Sequence, residues 1–99
     1  MTKEFKEWAE EEYGEIVTLS FESGVEGLPW DFQWGMYQKF FWQTKRWWLS
    51  IYPYTDKFGG RIKGFWDEGI MTRPYITNVP EQAQRRLVED AFERMEEEG

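Results

Sequence analysis

The chain contains no cysteine and no histidine. Lacking thiols, it has no disulfides, no Cys-rich zinc site and no sulfur nucleophile; lacking imidazole, it has no triad built on a histidine base. Aliphatic residues are also scarce, with Leu, Ile and Val together numbering thirteen of 99. No apolar run reaches the ~18–20 residues of a membrane span. The opening Thr2-Lys3-Glu4-Phe5-Lys6-Glu7 is charged rather than signal-like. These absences lead to the expectation of a soluble cytoplasmic protein with no membrane attachment, no metal and no cofactor.

What replaces the aliphatics is aromatic: seven Trp, eight Phe and five Tyr. Fully buried rings remove ~150–250 Å² each, so twenty of them need about 4000 Å² of interior. A single domain over 1–99, with a radius of gyration of ~13 Å, has few positions that deep. Some rings must therefore meet solvent. Trp30, Trp42, Trp48, Tyr54 and Phe58 are expected to form a partly exposed, partner-binding surface, because Trp and Tyr are the usual energetic anchors of interfaces.

The net charge of −7 is unevenly spread. Residues 1–31 hold nine acids against Lys3 and Lys6, and residues 81–99 hold seven acids against three arginines. Between them, residues 32–80 hold seven bases against Asp56, Asp67 and Glu68. Two acidic ends thus flank a basic, aromatic middle. The overall field repels phosphate, and charged helix faces also serve to keep an aromatic-rich chain in solution.

Periodicity sketches the elements. Phe5, Trp8, Ala9 and Tyr13 mark one face of a helix over 3–13, with Gly14 suited to a left-handed stop. Glu15 to Ser23 alternates Val17, Leu19 and Phe21 with polar residues, the pattern of a half-buried strand. Trp30 to Trp42 is read as a helix of about Asp31 to Gln43 with Asp31 as cap, since its length exceeds a typical strand; the competing strand reading of 33–42 puts Trp34, Met36, Phe40 and Trp42 on one face, with Gln38 interrupting. From Arg46, Trp47, Leu49 and Ile51 alternate with Trp48, Ser50 and Tyr52, so bulk on both faces predicts a central or doubly covered strand. Tyr54 to Gly60 reads as a turn, Arg61 to Trp66 as a second strand, Asp67-Glu68-Gly69 as a turn, and Ile70 to Ile76 as a third strand kept to an edge by Pro74. Asn78-Val79-Pro80-Glu81 announces a last helix with Asn78 as cap and Ala83, Leu87, Val88, Ala91, Phe92 and Met95 as its apolar stripe. The expected fold is α+β: an antiparallel sheet of about four strands, with N-terminal, central and C-terminal helices packed mainly on one face.

Phe32-Gln33-Trp34-Gly35, the aromatic run after it, the aromatic strand and the closing Pro80-Glu81-Gln82-Ala83 helix resemble small phage and mobile-element proteins. The resemblance spans roughly residues 20–97, and the last helix departs from it in reading Glu81-Gln82-Ala83-Gln84. It implies an origin and carries no chemistry.

For function, the acid–base inventory is limited to carboxylates, Lys and Tyr. Asp67-Glu68 is first of all turn chemistry, Gly59-Gly60 lacks the Lys-Ser/Thr of a phosphate loop, and no acidic spacing fits a calcium loop. An enzyme is not expected. A nucleic-acid or nucleotide module is the alternative, using Lys45, Arg46, Trp47, Tyr52, Arg61 and Lys63, because single-strand binders interleave stackable rings with cations. A planar base sandwiched among Trp30, Trp34, Trp47 and Trp66 is a variant of that reading. The leading expectation is a non-catalytic binding protein that docks on a protein partner or on its own copy, as a possible dimer, through the aromatic surface.

Overall fold

The computed structural model describes residues 3–19, 25–64, 70–75 and 77–98. In chain order they form α1 (Lys3–Leu19), α2 (Trp30–Lys45), β1 (Trp48–Tyr54), β2 (Lys57–Lys63), β3 (Ile70–Tyr75) and α3 (Pro80–Glu98). The strands make one antiparallel sheet in the order β1-β2-β3. The α+β class stands, with three strands rather than four among the described residues. Two compact units divide the chain, Met1–Phe40 and Phe41–Gly99, and their boundary falls inside α2.

The missing strand is the one expected over Glu15–Ser23. Residues 15–19 continue α1 instead, and 20–23 lie outside the described residues. Gly14 does not take the left-handed backbone that would have closed the helix. A bend comes one residue earlier, at Tyr13 (φ −133°, ψ 31°), and the helix resumes after it. Extending a helix that already exists adds a hydrogen bond per residue without a new nucleus, which favours it over an isolated strand.

In the first unit, α1 runs antiparallel to the first part of α2. Phe5, fully buried, meets Tyr37 and Phe40 at ring separations of 5.0 and 5.1 Å, while Tyr13, two turns further on, meets Phe32 at 5.7 Å. Lys39 closes the same seam. Its ammonium lies 3.3 Å from the Glu12 carboxylate and 5.3 Å from the centre of the Tyr13 ring. The hydrogen bond to Glu12, helped by Tyr13, raises the Lys39 pKa above its ordinary 10.5. The start of α2 is organised by Pro29, whose carbonyl accepts from the Phe32 and Gln33 amides. Asp31 is therefore not the cap; it sits in the first turn, where its charge opposes the positive helix end. Buried Gln33 donates back to the Leu28 carbonyl at 2.7 Å, tying the preceding loop to the helix.

In the second unit, β1 and β2 pair from Trp48↔Lys63 to Tyr54↔Lys57, so the turn is only Thr55-Asp56. The expected turn through Gly60 and the second strand over Arg61–Trp66 are both displaced: β2 begins at Lys57 and contains Gly59-Gly60, and residues 65–66 lie outside the described set. Gly59 serves a contact rather than a turn. A Cβ there would sit 2.6 Å from Cζ of Tyr52, its cross-strand partner, so only a glycine lets that ring lie across β2. Thr55 takes the left-handed backbone instead (φ 55°), an uncommon state for a β-branched residue.

Among the described residues β1 lies at an edge of the sheet and β2 in the middle, so of the two readings of β1, central or doubly covered, the central one does not hold. Pro74 does lie on an edge, in β3. α3 packs against β1 and β2, over the side on which the cross-strand partners Leu49 and Ile62 are buried. Ala83, Leu87, Val88, Ala91 and Met95 of α3 are buried as their spacing implied, while Phe92 is half-buried and meets Phe41 edge-on at 4.9 Å. The start of α3 is held by Thr77 rather than Asn78. The buried Thr77 hydroxyl accepts from the Val79 amide at 3.1 Å and donates to the Gln82 side chain at 2.7 Å, while Asn78 is exposed.

Candidate functional site

The side of the sheet away from α3 is set by the pleat. Cross-strand partners share a face, so Trp48, Ser50 and Tyr52 of β1 stand with Lys63, Arg61 and Gly59 of β2, and Lys57 has the same parity. Trp48, Lys57, Arg61 and Lys63 are exposed, and Ser50 and Tyr52 are half-buried. No acid occupies a β1 or β2 position of this face, and the β3 residues in register with it, Ile70, Thr72 and Pro74, are uncharged.

Trp42 joins this surface from the last turn of α2. Its ring meets Trp48 edge-to-face at 6.4 Å and 89°, and the two indoles remain 38% and 45% exposed. Such a pair is attractive by ~0.5–1.5 kcal/mol beyond the area it hides. The chain turns between them at Arg46, which has a left-handed backbone (φ 58°). Its amide donates to the Trp42 carbonyl and the Trp47 amide to the Phe41 carbonyl, closing the helix as a glycine usually would. A glycine would relax that backbone; an arginine instead brings a guanidinium to 5.5 Å from the centre of the Trp42 ring. Trp42, Trp48, Lys63 and Gly64 line an open, mainly apolar depression of about 490 Å³, within the range of small-ligand sites. At the other end of the face the Arg61 guanidinium lies 5.1 Å from the centre of the Tyr52 ring. Among the described residues, Arg46, Lys57, Arg61 and Lys63 form no ion pair.

Of the five rings expected to be exposed, the structure brings together Trp42 and Trp48. Trp30 belongs to the first unit, half-buried against Trp34 and Tyr37. Phe58 has the parity of Gly60 and Ile62, on the α3 side of β2, and is half-buried; the Tyr54 side chain lies outside the description. Of the alternative set, Tyr52, Arg61 and Lys63 share the outer face and exposed Arg46 adjoins it, with half-buried Lys45 at the end of α2. Trp47 is a correction. It is 2% exposed, stacked on Phe41 at 17° and covered by the Arg94 guanidinium, so it holds the core and offers no ring to a ligand. The four-tryptophan base sandwich loses Trp47 by the same burial, and Trp66 is outside the described residues. Gly59 and Gly64 also belong to the site: Gly59-Gly60 reads locally as a turn, and its contact with Tyr52 has no local signal, while the parity of Trp48, Ser50 and Tyr52 already sets those three apart from Trp47.

Among the described residues, no three acidic side chains gather in a group able to hold a metal ion, and no helix is long and apolar enough to cross a membrane. Compared with family models, curated proteins and solved structures, the chain matches none.

Proposed function

We propose that the chain is a non-catalytic binding protein whose contact surface is the Trp42–Trp48 patch with the outer face of the sheet. The observation that carries this reading is the pair itself: two indoles, each more than a third exposed, held in contact beside an apolar depression. Apolar rings left in water at one place lose the hydration gain that burial brings, and a partner restores it. The left-handed Arg46 supports the same reading, because strain of this sort persists where the side chain is of use. The groups on the face are rings, lysines and arginines, which supply contact area and charge. The surface takes a macromolecule, or a second copy of the chain, in the cytoplasm. The Phe32-Gln33-Trp34-Gly35 resemblance supports an accessory or inhibitory role of the phage and mobile-element kind, exerted on a host macromolecule.

The test compares the wild-type chain with the Trp42→Ala/Trp48→Ala variant as bait, after circular dichroism has shown both to be folded. A species retained by the wild type and released by the variant, or a sedimentation mass that halves on substitution, is the expected result. Equal capture and equal mass for both proteins would remove the patch from any contact role.

A further inference from the structure

We infer that the occupant of this face is a single-stranded nucleic acid, its bases on the rings of β1 and its phosphates along the cations of β2. This rests on the contact surface proposed above and names its partner.

Trp48 and Tyr52 are four residues apart on one strand, about 13 Å at ~3.3 Å per residue. Lys63, Arg61 and Lys57 follow the next strand at the same level, one strand spacing away (~4.8 Å). A row of rings beside a row of positive charges, without an acid between them, is what an extended polyanion with flat side groups requires. The two ends of the row differ in a useful way. At one end Trp48 and Trp42 open onto a depression large enough for a base, with Lys63 at its edge. At the other, Tyr52 lies across Gly59 with the Arg61 guanidinium over it, and a guanidinium plane is itself a stacking surface for a base. An acidic peptide would use the cations and leave the flat rings without a matching partner. The chain's net charge of −7 argues against long-range attraction. Screening over ~8 Å at physiological salt shortens the reach of that repulsion, and the charged residues at the β1 and β2 positions of this face are all positive.

The experiment is a fluorescence-anisotropy titration of the intact chain with a labelled twelve-nucleotide oligo-dT, repeated from 20 to 200 mM salt. Binding is expected at low salt. With four phosphate contacts (Arg46, Lys57, Arg61, Lys63) at about −0.7 each, log K falls against log salt with a slope near −3. Trp48→Ala, on an exposed side chain, is expected to weaken binding roughly 5- to 150-fold, the range for one stacked base. Lys57→Glu/Lys63→Glu is expected to abolish it at 100 mM salt while the circular dichroism is unchanged. Two results overturn the inference. Poly-glutamate competing as well as the oligonucleotide, with Trp48→Ala without effect, assigns the cations to an acidic protein. No oligonucleotide binding at 20 mM salt removes nucleic acid altogether, while partner capture that depends on Trp42 and Trp48 would leave the broader binding reading intact.

Discussion

The two units use the same kind of residue for opposite purposes. In the first, Phe5, Tyr37 and Phe40 are buried between two helices and Trp8 and Tyr13 border them, so rings supply the cohesion that scarce aliphatics cannot. In the second, aliphatic Leu49, Ile62, Leu87 and Val88 share the core with Phe41 and Trp47, and other rings are left on the outer face with cations around them. An aromatic-rich composition is therefore two populations. Burial and neighbours separate them: the first unit's rings pack on one another in its interior, and Trp42 and Trp48, more than a third exposed, stand beside cations that form no ion pair among the described residues.

Removing one ring from each population is the sharpest way to test that division. Phe5→Ala opens a void in the first unit's interior and is expected to cost ~3–5 kcal/mol, seen as a large fall in the urea midpoint. Trp48→Ala removes a larger side chain and is expected to cost no more than ~1.5 kcal/mol, the worth of its ring pair with Trp42. Similar losses for both would mean that the buried and the exposed rings serve the fold alike.

Glycines give the next contrast. Gly59→Ala forces the Tyr52 ring away, and overpacking of this kind costs ~1–3 kcal/mol; near-ultraviolet circular dichroism should report the displaced tyrosine. Gly35→Ala, in the first unit's helix with nothing within 4 Å of the new methyl, is expected to gain ~0.5–1 kcal/mol in thermal denaturation. If Gly59→Ala were neutral, the close approach of Tyr52 to β2 would not matter.

The smallest effect is a pH one, confined to the first unit. Because the Lys39 pKa is raised in the folded chain, its contribution is complete below the ordinary 10.5 and disappears as pH climbs through the higher folded value. Alkaline titrations of wild type and Glu12→Gln should converge above that range and differ below it. Parallel curves throughout would mean that the Glu12–Lys39 contact, exposed as it is, does not couple to folding.

Much of this was legible from residue pattern. The stripe of α3 and the length of α2 identified both helices, because each buries one continuous face. The hairpin was misread for a reason outside any local window: Gly59-Gly60 resembles a turn, yet Gly59 answers to a ring seven residues earlier on another strand. Val17 and Leu19 alternate like strand residues, but a helix was already in progress. For the site, alternation separated Trp47 from Trp48 without saying which was buried, since both sides carried bulk. That choice depends on Phe41 and Arg94, which only the folded chain brings to Trp47.

Consecutive indoles with opposite destinations make the passage from α2 to β1 intolerant of insertion or deletion. One residue more or fewer before Trp47 would turn the core indole outward and the surface indole inward, and would invert every side chain of β1 behind them. Descendants of this chain should accept length changes at the Thr55-Asp56 hairpin tip and lose them at Arg46, so a hotspot for indels would sit a mere nine residues from a stretch where almost none survive.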